Sequence, residues 1–158
     1  MNFQIHALPA APFASLFDLT DADLAVRHII RKSVTEFPGY PCRISLEDAD
    51  VGETVLLLNH TYLPEDTPYQ ASHAIYVRKD VAQAMPQPGE VPDVLTRRLI
   101  SVRHFDAQHL MIEADVLDGV DVGAALRRAF DDPSVAYVHL HNAKQGCFAA
   151  KATRVADA

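Results

Sequence analysis

In AYVHLHNAKQGCFAAK, residues Ala136 to Lys151, apolar and polar side chains alternate up to a turn that carries a glycine. Successive side chains of a strand point to opposite faces, so Tyr137, His139 and His141 share one face while Ala136, Val138 and Leu140 take the core face. A slip of one residue would bury two imidazoles and expose two aliphatics, each worth about 1.5–3 kcal/mol when buried. Asn142 to Gly146 reads as the turn, with Gly146 at positive φ and the chain returning as a strand through Cys147. With that loop His141 faces Cys147, their Cβ atoms ~5 Å apart. A loop one residue shorter turns Cys147 to the opposite face.

Working outward from this hairpin, strand-like runs recur at Phe3 to Ala7, His28 to Thr35, Thr54 to Thr61, Ser72 to Arg78, Leu99 to Phe105 and Leu110 to Leu117. Thr54 to Leu58 is apolar on both faces and predicts a strand covered on both sides, whereas the others should keep one wetter face. Helical spacing is clearest over Asp121 to Phe130, where Val122, Ala125, Leu126, Ala129 and Phe130 mark one buried stripe ended by Asp131-Asp132-Pro133. A second helix should begin after Thr20, whose hydroxyl can cap it, and give way to strand near His28. The segment Met85 to Pro92, MPQPGEVP, reads as an irregular surface connection. Together these elements predict an α+β fold, a mainly antiparallel sheet or partly closed barrel with two or three helices.

A chain of 158 residues with 49% hydrophobic and 22% charged residues can bury one real core, which predicts a single domain over residues 1–158. The N-terminus has no basic leader before an apolar run, so the expected location is cytoplasmic. A formal net charge of −7 with scattered basic residues argues against nucleic acid and against anionic membrane surfaces as partners. Cys42 and Cys147 are too far apart for a Cys-x-x-Cys motif, and two free thiols are expected in a reducing compartment.

The chemistry of the C-terminal hairpin leaves several readings open. If His141 stands beside Cys147 it can generate a thiolate, with Cys147 as nucleophile and His141 or His139 as base. A pocket lined by His139, His141, Asn142 and Lys144, with Arg43 and Arg78 as charge partners, would bind a polar or anionic small molecule without any reaction. A divalent-metal site would use His139, His141 and Cys147, with His73 or Cys42 as a fourth ligand. A homo-oligomer that buries the histidine face against a partner is the fourth reading. His73 itself alternates with Ile75 and Val77 and is placed on the core side of its strand. Glu47, Asp48, Asp50 and Glu53 do not match a calcium loop and read as a solvated acidic turn closed by Gly52. Phosphate loops, dinucleotide fingerprints, serine nucleophile elbows and His-Glu-x-x-His helices are absent.

Three segments, PGYPCRISLEDADVGETVLLLNH (Pro38 to His60), TPYQASHAIYVR (Thr67 to Arg78) and VAYVHLHNAKQGCFAAK (Val135 to Lys151), resemble an uncharacterised bacterial domain-of-unknown-function family, number 1203 among such families. The resemblance covers nearly the whole chain and implies a bacterial, stand-alone, single-domain protein. It brings no activity, cofactor or site residue.

Overall fold

The computed structural model of the chain describes residues 2–155. Its strands form two antiparallel sheets, neither closed. The first takes β1 (Asn2–His6), β5 (Leu99–Phe105), β6 (Met111–Asp118), β7 (Tyr137–Asn142) and β8 (Phe148–Val155) in the order β1-β8-β7-β5-β6. The second is the three-stranded β2 (Ile30–Ser33), β3 (Thr54–Leu63) and β4 (Ala71–Arg78), with β3 in the middle. The expected α+β, mainly antiparallel architecture is present, and its strands are divided between two open sheets.

Four α-helices accompany the sheets among the described residues: α1 (Ala11–Ala14), α2 (Asp21–Val26), α3 (Asp93–Thr96) and α4 (Val122–Asp131). Three of them are too short to be read from periodicity, which is why the number exceeds the two or three expected. Helix α2 starts where Thr20 Oγ1 accepts from Asp23 N at 3.1 Å, and the chain leaves it through His28 at φ 58°. Helix α4 buries Val122, Ala125, Leu126, Ala129 and Phe130. That stripe packs on Phe3 and Ile5 of β1, Ile100 and Val102 of β5, and Val138 and Leu140 of β7. The second sheet has its own core, in which Leu56, Leu58, Ile75 and Val77 meet Phe13, Phe17 and Leu24. On the other face of β3, Val55 packs with Val34 and Ala49, so this strand is covered on both sides as its sequence requires.

Two glycines near the start of α4 separate a backbone constraint from an ordinary helix position. A Cβ on Gly119 would lie 1.9 Å from the Leu95 carbonyl oxygen, whereas one on Gly123 would come no nearer than 3.4 Å to any non-neighbouring atom, the nearest being Val91 Cγ2. Gly119→Ala should therefore lower the free energy of unfolding in urea by more than about 2 kcal/mol. Gly123→Ala should be neutral or raise it by up to about 1 kcal/mol through helix propensity. Equal stability of the two variants would contradict the close crossing of α3 and the β6–α4 connection.

Candidate functional site

Strand β7 is buried along its whole length. Val138 and Leu140 point into the core beneath α4, as the alternation requires, and His139 and His141 lie together on the other face. That face is not wet. The second sheet closes over it through Tyr62, whose ring centroid is 5.8 Å from His139 and 4.8 Å from His141, and which stacks on Phe148 at 5.5 Å. His141 Nδ1 is 3.0 Å from the Gly146 carbonyl oxygen; a carbonyl only accepts, so Nδ1 carries the proton and Nε2 is left as a buried acceptor without a partner. His139 Nδ1 is likewise buried and unpartnered. Burial pushes His139 down to about 3, helped by His141, Lys151 and Arg103, and pushes His141 down to about 4 against the opposing bond to Gly146. Both imidazoles are neutral at pH 7.

The return strand corrects the expected facing of His141 and Cys147. The turn is one residue shorter than Asn142 to Gly146: Asn142 N donates to Cys147 O at 2.9 Å, and Gly146 turns the chain at φ 79°. His141 consequently pairs with Phe148, with a register shift just beyond, where Leu140 pairs with Ala150. Cys147 stands instead with Asn142 and Arg43. Arg43 Nη2 donates to Cys147 Sγ at 3.0 Å and Asn142 Nδ2 to the same sulfur at 3.5 Å. Arg43 also donates through Nε to Phe148 O at 2.7 Å and through Nη1 to Pro41 O. This guanidinium is only 2% exposed and ion-pairs with no carboxylate among the described residues. Burial pushes its pKa below the usual arginine range, with the charge and hydrogen bond of Cys147 opposing. Arg43, Cys147 and Asn142 line a cavity of about 260 Å³ that also reaches His73, Tyr76 and Gln145. Asn142 Oδ1 is buried there without a donor.

Other residues singled out from sequence fall elsewhere. Arg78 is held in a two-pronged pair by Glu53 at 2.9 Å and by Glu47 at 3.0 Å, and it lines a separate cavity of about 610 Å³. Lys144 lines a third cavity, which shares Arg98, Asn142 and Gln145 with the thiol site but not Arg43 or Cys147. The acidic turn is less solvated than expected, because the Asp48 side chain is fully buried against Arg97 and Arg98. Among the described residues, no group of three or more His, Cys, Asp and Glu side chains could hold a metal ion, and the His139 and His141 rings are 6.2 Å apart. His73 bears on the site more than its alternation with Ile75 and Val77 suggests. Its Nδ1 donates to the Ala74 carbonyl at 2.9 Å, so Nε2 is an acceptor, and the residue forms part of the wall of the thiol cavity. The signal available was its place beside the polar loop His60 to Gln70.

Residues 39–154 match the model of a family described as "Protein of unknown function (DUF1203)". No curated protein matches the chain, and no solved structure matches it. No helix among the described residues is long and apolar enough to cross a membrane.

The buried imidazoles make stability depend on pH with a definite sign. Below the ordinary histidine value of about 6.5 the unfolded chain takes up protons that folded His139 and His141 refuse until about 3 and about 4, so stability falls as pH falls through that window. Two histidines at up to about 1.4 kcal/mol per pH unit each give a loss of about 2–4 kcal/mol between pH 6.5 and 5. Urea unfolding at both pH values checks this, and His139→Gln should flatten the slope. Stability unchanged from pH 7 to 5 would contradict neutral, buried imidazoles.

Proposed function

The chain belongs to the DUF1203 family, and we propose that its C-terminal hairpin serves as a pocket for a small ligand carrying an acidic group, with Arg43 as the cationic partner. One observation carries this reading: a buried guanidinium without a carboxylate lines a cavity. Burying a charge is costly unless it is paired, and removing one partner of a buried pair costs about 3–5 kcal/mol. Arg43 makes three hydrogen bonds, and arginine has five N–H donors, so two remain for a ligand. A carboxylate or similar anion supplies the missing charge, and a hydroxyl, amine or amide on the same ligand meets Asn142 Oδ1. Arg78 and Lys144 take no direct part, since each faces another cavity.

A catalytic form of the same reading makes Cys147 the nucleophile. Its sulfur accepts from Arg43 and Asn142, the kind of contacts that stabilise negative charge gathering on sulfur. The base is then His73, which shares the cavity, and not His139 or His141, which lie under Tyr62 on the other side of the hairpin and are not among the residues that line this cavity. Both cysteines are free and buried, which agrees with a bacterial cytoplasmic setting.

Iodoacetate tests the pocket directly because it joins a carboxylate to an electrophilic carbon: the S–C bond forms as C–I breaks, iodide leaves, and the thiol proton goes to solvent. Iodoacetate should modify Cys147 about tenfold faster than neutral iodoacetamide does, once each is normalised to a free cysteine, for a charge-assisted bond of about 1.5 kcal/mol or more. Arg43→Lys, which keeps a charge, should retain part of that preference, and Arg43→Met should abolish it. Cys42, held inside the second core, serves as the inert internal control. Equal rates for the two reagents, or a preference that survives Arg43→Met, would remove Arg43 as an anion partner.

A further inference from the structure

His139, separated from the thiol cavity, forms part of the wall of another one. This cavity of about 180 Å³ lies between the sheets, bounded by His60 and Tyr62 of β3, His139 of β7, Lys151 of β8, and Glu65 just beyond β3. It shares no lining residue with the cavity at Cys147. Two buried polar atoms belonging to its walls have no partner: His139 Nδ1, on a residue only 2% exposed, and Glu65 Oε2. The charges are separated across the space. Lys151 Nζ sits 4.4 Å from the centroid of the Tyr137 ring and ion-pairs with no carboxylate among the described residues. Lys151 is also the cross-strand partner of His139, whose other partner is Arg103. Glu65 brings the only carboxylate among the described residues that line this cavity, and its Oε1 is 3.8 Å from His109.

We propose that this inter-sheet cavity is a second ligand site, taking a small carboxylate that also carries a hydroxyl or amino donor, as 2-hydroxy and 2-amino acids do. The ligand carboxylate lies toward Lys151, its donor toward Glu65 Oε2, and His139 stands between as the neutral imidazole with an unused ring nitrogen. The volume falls below the range of roughly 300–1,000 Å³ usual for drug-sized ligands, which restricts the occupant to a few heavy atoms. The hydrophobic walls contributed by Leu63 and Phe148 exclude water from one side and leave the charged groups to set orientation. This site does not depend on the anion pocket at Arg43.

Calorimetric titration at pH 7 with glycolate, glycine, acetate and ethanolamine tests it on the intact chain. Glycolate or glycine should bind with Kd on the order of 1 mM, and acetate and ethanolamine, each lacking one of the two groups, about tenfold more weakly. Binding by glycolate alone assigns the hydroxy acids, and binding by glycine alone the amino acids. Lys151→Met, a change at an exposed side chain that should leave the fold intact, is expected to weaken binding at least about tenfold. Arg43→Met, which removes the Arg43 cation from the thiol cavity, should leave the Lys151-dependent binding unchanged, which separates this site from that one. In the Arg43→Met background, acetate binding as tightly as glycolate and glycine, no heat from any of the four up to about 50 mM, or full affinity on adding Lys151→Met would overturn the proposal.

Discussion

The burial of β7 on both faces is the constraint on which the remainder of the structure depends. Its aliphatic face holds α4 against the five-stranded sheet, and its imidazole face receives Tyr62 from the other sheet. A strand covered on both sides cannot slip, because any shift exchanges aliphatic and imidazole positions across the sheet. The fixed register then decides the hairpin. With Phe148 opposite His141, the bulky ring stacks on Tyr62, and Cys147 is carried to Asn142 and the guanidinium of Arg43.

Charge is distributed unevenly around that hairpin. The chain carries a formal net charge of −7, yet its buried carboxylate is committed elsewhere: Asp48 lies between Arg97 and Arg98, while Glu53 and Glu47 hold Arg78. Arg43 and Lys151 are left at two separate cavities without carboxylate partners among the described residues. A net negative outer field repels extended polyanions, and the proposed occupants of these two cavities are accordingly small anions.

Local sequence pattern is enough to read strands such as β1, β4 and β5, whose main apolar positions are buried in the cores, while β6 is largely exposed on both faces. Leu99 to Phe105, the capping Thr20 and the stripe of α4 are read the same way in sequence and structure. The site was harder to read because it is made by long-range pairing. Arg43 and Arg78 look equivalent as basic residues beside strands, but pairing of Val55 with Arg78 sets Arg78 next to Glu53, and Arg43 is turned inward to the edge of β8. Nothing local revealed that Tyr62 would cover the histidines, so a face expected to be wet is dry. The turn was also one residue shorter than expected. Since side-chain direction has a period of two, that single residue moved Cys147 from His141 to Asn142.

The proposed ligand role rests on Arg43, a buried guanidinium with no carboxylate partner among the described residues. Arginine side-chain Nε–H resonances report it most directly, with the Arg43 signal assigned by its loss in Arg43→Lys. On titration with succinate at constant ionic strength, the Arg43 resonance should shift saturably while that of carboxylate-bound Arg78, which lines a different cavity, stays fixed. An Arg43 signal that does not move, or exposed arginines that shift together in proportion to concentration, would contradict it.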